Sequence, residues 1–141
     1  MAARITGRTT VLLPANMSAD KLSMVSEYLK PDITIEQIPY HPQNGTLDLA
    51  ALKKKLNPEV AAVYFENPSY LGLIETQVEQ ISDAAHAAGA LCVVGAEPLS
   101  LGVIQPPVEY GADIACGDIQ SLGIHMPVSY THLTLPTTPY V

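Results

Sequence analysis

The residues of this chain that could do chemistry gather where apolar runs turn polar. Three such places stand out. "ENPSYLG" (66–72) follows a continuous apolar run. Asn67 before Pro68 is biased to an extended backbone, which could aim the Asn67 amide and the Ser69 hydroxyl at a ligand. The same residues could also do no more than end a strand. "GAEPLSLG" (95–102) places Glu97 after another apolar run and before a proline. A lone carboxylate in such a setting needs a partner to offset its desolvation. Glu97 is therefore a candidate ligand group, or else a cap for nearby backbone amides. "GDIQSLGIH" (117–125) gathers Asp118, Gln120, Ser121 and His125.

Other chemistries find no support. His41, His86, His125 and His132 are scattered without metal-ligand spacing, and His86 reads as a surface or packing residue. There is no GxGxxG or Walker sequence and no G-x-S-x-G elbow.

The elements that would position these residues alternate. "TTVLLPA" (9–15) reads as a buried strand. Ser18 can cap a following helix whose Leu22, Val25, Tyr28 and Leu29 share a face, and Pro31 stops it. "DITIEQIPY" (32–40) reads as an edge-side strand and "HPQNG" as a turn. A short helix over 46–56 ends at Asn57-Pro58. "VAAVYFENP" (60–68), "ALCVVGAEP" (90–98) and "YGADIACGD" (110–118) read as further strands, the second of them fully buried. Between the first two, "TQVEQISDAAHAAG" (76–89) is a helix with a Thr76/Glu79 capping box and a closing Gly89. Unbroken apolar strands alternating with helices predict an α/β fold, a mainly parallel sheet with helices on both faces. Ligands of such sheets bind beyond the carboxyl ends of the strands, where the three polar clusters fall.

Composition narrows the classes. At 141 residues the chain suits one domain, and 48% hydrophobic against 15% charged residues is a globular composition. The net charge of -7 argues against nucleic acid, and "KKK" at 53–55 reads as a solvated helix end. No apolar run approaches the ~20 residues that span a bilayer, and "MAARITGR" lacks the apolar segment of a secretory signal. Cys92 and Cys116 form no CxxC pair and read as buried free thiols of a reducing compartment. The expected location is the cytoplasm.

Together, "ENPSYLGLIE" and "HAAGALCVVGAEPLSLGVIQPPVEYGADIACGDIQSLGIH" resemble glycine dehydrogenase (decarboxylating) subunit 1, the α half of the split P-protein of the glycine cleavage system. The resemblance covers residues 1–126, is most specific over 62–125, and includes "AARITGR" at 2–8. It implies a fragment of the large domain of a pyridoxal-phosphate (PLP)-dependent type I, aspartate-aminotransferase-like fold, with Met1 an internal methionine. It also implies a heterotetramer in which glycine dehydrogenase subunit 2 holds the PLP. That complex would decarboxylate glycine and pass the aminomethyl group to the lipoyl arm of H-protein. Catalytic relatives end the strand matching "GADIACGDIQS" in a His-Lys pair. Gln120 and Ser121 stand there in this chain, so the Schiff-base lysine is absent. Glu97 matches the carboxylate that would face the pyridinium nitrogen, one carbon longer than the usual Asp.

The stretch 127–141 has no Lys, Arg, Asp or Glu. Pro127 to Thr137 resembles the translation of a transposon-end sequencing adaptor, and the stretch is expected to be a non-native, disordered tail. Two other readings stand beside the leading one: a fragment of a catalytic type I PLP enzyme such as an aminotransferase or cysteine desulfurase, and a binding module unrelated to PLP. A lysine near 121 would favour the first, yet the last lysine is Lys55.

Overall fold

The computed structural model describes residues 1–123. His125 and the 127–141 stretch lie outside the described residues.

Five strands pair side by side and so satisfy one another's backbone N–H and C=O groups. They are β1 (Thr10–Pro14), β2 (Thr34–Ile38), β3 (Val60–Glu66), β4 (Leu91–Gly95) and β5 (Ile114–Cys116). All pairs are parallel, in the order β2-β1-β3-β4-β5. Val63 lies opposite Leu12 on one side and Cys92 on the other. The edge position expected for β2 is observed. Sheet growth reverses at β1, so the topological switch point falls between β1 and β3.

Four helices complete the layers: α1 (Ala2–Thr6), α2 (Ala19–Leu29), α3 (Leu49–Lys55) and α4 (Val78–Ala87). Ser18 caps α2 by accepting the Lys21 amide at 3.3 Å. The helix expected over 46–56 begins later, because Asp48 accepts the amides of Ala50 and Ala51 and so fixes the first turn. Lys53, Lys54 and Lys55 then sit at the negative end of its dipole. In α4 the expected Thr76/Glu79 capping box does not form, and Gln77 is the N-cap without a side-chain bond. The Glu75 carboxylate takes the Gln77 amide instead, at 3.1 Å. Gly89 closes the helix in the left-handed region, at φ 70°.

Helices α3 and α4 cover one face and bury Leu12, Leu52, Val63, Ile81 and Val94 in a single core. Arg8 ties this layer to the sheet, since its guanidinium donates to the carbonyls of Val60 and Ala88 at 2.8 and 3.0 Å. The opposite face carries α1 and α2 at its borders, and a groove of about 340 Å³ remains over Val11, Ala62, Tyr64 and Val93. No residue of α2 is fully buried, and Tyr28 is 86% exposed rather than on an inward face. Accordingly β4, expected to be fully buried, alternates between buried Cys92 and Val94 and half-buried Leu91, Val93 and Gly95. Among the described residues β5 is the last strand, three residues long at one edge of the sheet, and Cys116 on it is exposed while Cys92 is buried.

Candidate functional site

The carboxyl ends of β3, β4 and β5 open into one cleft of about 490 Å³. Close approach of the strand ends needs glycine. A Cβ on Gly95 would strike the Tyr64 hydroxyl, and one on Gly117 would strike the Ala96 carbonyl oxygen. The last residue of β3, Glu66, keeps its carboxylate buried at the floor of this cleft. That burial is compensated. Lys21, reaching down from the first turn of α2, donates to Glu66 Oε1 at 2.6 Å, and the Tyr64 hydroxyl donates to the same oxygen at 3.0 Å. Burial pushes the Tyr64 phenol far above its ordinary value, and the negative Glu66 beside it adds to the shift. The Cys116 thiol at the cleft wall is also raised, first by burial; Lys21 opposes the shift and Glu66 favours it.

The three clusters singled out from the sequence meet at this end of the sheet. Ser69, Glu97 and Asp118 line the cleft. Glu97 Oε2 accepts the Ser100 amide at 3.0 Å and caps the 3-10 turn Pro98–Gly102, the capping arrangement that the sequence left open as one choice. Asp118 accepts the Gln120 amide at 3.2 Å, and Gln120 and Ser121 are exposed in the next 3-10 turn. Asn67 is 4% exposed, and its Oδ1 accepts the Glu75 amide at 3.1 Å. Ser69 Oγ accepts the Leu73 amide at 3.3 Å. Both side chains bond to the loop that leaves β3.

That loop also fills the switch point. Glu75 is buried and its carboxylate accepts the Leu47 amide at 2.7 Å, while Asn16 donates to the Gly45 carbonyl. About 20 Å³ of space remains between β1 and β3. Ligand-sized room therefore lies over β3 to β5. Sequence reasoning missed Lys21, Tyr64 and Glu66. Lys21 lies 45 positions before Glu66, and nothing local marks the pair. A lysine in the first turn of a helix that follows a strand was the available signal. His86 Nε2 sits 2.8 Å from Asp113 Oδ2, on the exposed side of α4 away from this cleft. Among the described residues no group of His, Cys, Asp and Glu could hold a metal ion, and no helix is long and apolar enough to cross a membrane.

The five-stranded parallel sheet is shared with solved enzymes of the type I aspartate-aminotransferase-like fold, and that is the fold of this chain. Cystathionine gamma-lyase from Lactobacillus plantarum shares it at TM-score 0.64 and 21% identity, over 82% of this chain and 30% of that one. The chain belongs to the glycine cleavage system P-protein family, whose model matches residues 1–134, a span that runs past Pro127. It is 46% identical over 123 residues to the probable glycine dehydrogenase (decarboxylating) subunit 1 of Geotalea daltonii, covering 87% of this chain and 27% of that protein. A crystal structure of the glycine decarboxylase (P-protein) of the glycine cleavage system, in inhibitor-bound form, superposes at TM-score 0.79 with 40% identity, over 90% of this chain and 28% of that one. The chain thus spans about a quarter of the length of the curated relatives it matches.

The described residues do not fit PLP as a covalently held group. The turn after β5 offers Asp118, Gln120 and Ser121, and none is an amine. Lys21 lines the cleft, but its ammonium is committed to the buried Glu66.

Proposed function

We propose that this chain is part of a subunit 1 of a split P-protein, a non-catalytic partner in a cytoplasmic complex that decarboxylates glycine. In this reading glycine dehydrogenase subunit 2 holds the PLP, and the aminomethyl group passes to the lipoyl arm of H-protein. The described chain supplies a folded platform and one polar wall beside the partner's chemistry. The observation that carries the reading is the turn after β5: a member of the P-protein family places Gln120 and Ser121, with no amine, beyond the last strand. Neither side chain can form a Schiff base.

The test uses the full-length parent subunit purified together with its catalytic partner. Borohydride reduction followed by peptide mapping should place the phosphopyridoxyl group on a lysine of the partner. Release of labelled CO2 from carboxyl-labelled glycine should need both subunits and H-protein. A reduced adduct on Lys21, or on any lysine of residues 1–55, would overturn the assignment.

A further inference from the structure

The helices of this chain are not equally attached. Helix α4 buries Val78, Ile81, Ser82 and Ala85 and packs closely on β4 and α3. Helix α2 is eleven residues long and buries none of them fully. Val25 and Leu29 lie half-buried along the open groove, while Met24 and Tyr28 stay largely exposed. None of the close element-to-element packings among the described residues involves α2. Its backbone hydrogen bonds remain within the helix and its own flanking turns. Among the described residues, the one side-chain hydrogen bond that joins α2 to another element runs from Lys21 to Glu66 Oε1, at 2.6 Å. The strands that α2 connects are paired without its help, β2 on β1 and β1 on β3. A segment with few buried apolar contacts and one tether is the kind that opens at low free energy while the rest of the fold holds.

We propose that α2 is a latched strap: it opens as a unit, independently of the core under α3 and α4, and the Lys21–Glu66 pair is its latch. The position of the latch gives the opening a consequence at the cleft. Lys21, Tyr64 and Cys116 line both the polar cleft at the strand ends and the apolar groove on the open face, so they form the partition between the two. When α2 opens, the Lys21 ammonium is withdrawn from that partition. The cleft and the groove then join, and the Glu66 carboxylate is left with the Tyr64 hydroxyl alone. The floor of the cleft thereby changes from a neutralised pair to a free negative charge.

The experiment is native-state hydrogen exchange on the full-length parent subunit, read by mass spectrometry in peptides covering 22–29 of α2 and 81–87 of α4. Exchange in α2 should be at least about tenfold faster than in α4. It should respond little to low urea, because its opening exposes little surface, whereas exchange in α4 should rise with urea. Ile81→Ala weakens the closed and the α2-open forms alike. It should therefore speed exchange in α4 about 100-fold and leave α2 unchanged. Ile81→Val makes the same comparison with a smaller step where the alanine variant does not fold. Lys21→Met should speed exchange in α2 about tenfold, and Lys21→Arg, which keeps the cation, should not. Lys21→Met speeds α4 as well, since it weakens the closed form from which both openings start. If α2 exchanges together with α4, with the same urea dependence and the same response to the Ile81 variant, the strap is overturned. A rate in α2 that Lys21→Met leaves at the wild-type value overturns the latch. Neither result touches the split-subunit reading, which rests on the turn after β5.

Discussion

The two faces of the sheet differ although the strands that build them are alike. Under α3 and α4, Leu12, Val63, Phe65, Cys92 and Val94 meet Leu52, Ile81 and Ala85, and the packing is closed. On the other face Val11, Leu13, Val93 and Ile114 line an open groove between α1 and α2. Unbroken apolar strands call for cover on both sides, and residues 1–123 supply it fully on one. The finished face carries the fold's stability. The open face and the strand carboxyl ends carry exposed apolar side chains.

The sharpest way to test this contrast is to hollow out the finished face. Ile81→Ala removes a fully buried side chain and should cost about 3 kcal/mol, read from the denaturant midpoint. The cleft floor comes next. Lys21→Met leaves the Glu66 carboxylate buried without its cation. Breaking a fully buried pair costs about 3–5 kcal/mol, but Lys21 is half exposed, so about 1–2 kcal/mol is expected here. Adding Glu66→Gln should recover most of the loss, since an amide needs no counter-charge. A double variant no more stable than Lys21→Met alone would show that the pair does not act as a unit.

A smaller effect is expected on the open face. Val93→Ala in the 141-residue chain should cost under about 1 kcal/mol, because a half-buried side chain leaves little cavity behind. A loss as large as that of Ile81→Ala would abolish the contrast between the faces. The smallest effect belongs to the seam between α4 and β5. Burial pushes the Asp113 carboxyl up, but the Cys92 amide at 2.7 Å and the His86 ring outweigh it and hold the group below its ordinary value. A depressed folded pKa contributes stability above the unfolded value of about 4, and that stability is lost as pH falls through the folded value. Asp113→Asn should therefore lower the urea midpoint slightly at pH 7, where the contribution is fully present, and flatten the acid limb of a plot of that midpoint against pH. An unchanged acid limb would show that Asp113 does not drive it.

Much of this could be read from the residues in order. Strands β1, β3 and β4 announce themselves as apolar runs, Ser18 and Pro31 frame α2, and Gly89 ends α4, because each of these signals is local. The gathering of Ser69, Glu97 and Asp118 at one end of the sheet follows from parallel pairing alone. The local signals that failed were overruled at a distance. Thr76 and Glu79 spell a capping box, yet Glu75, whose carboxylate also holds the Leu47 amide from another loop, takes the Gln77 amide. Cys116 sits in an apolar run, but its strand is three residues long at an edge.

By itself the sequence determined the α/β alternation, the strand-end position of the polar residues and the absence of any lysine after Lys55. Those properties depend on period, capping and residue type, all of which act over a few neighbours. Only the tertiary structure decided that Lys21 neutralises Glu66, that the space between β1 and β3 is filled while the cleft over β3 to β5 stays open, and that one face of the sheet lacks full cover. Those depend on which segments the sheet order brings together across tens of residues, and burial of a charge or of an apolar face has no meaning until that packing exists.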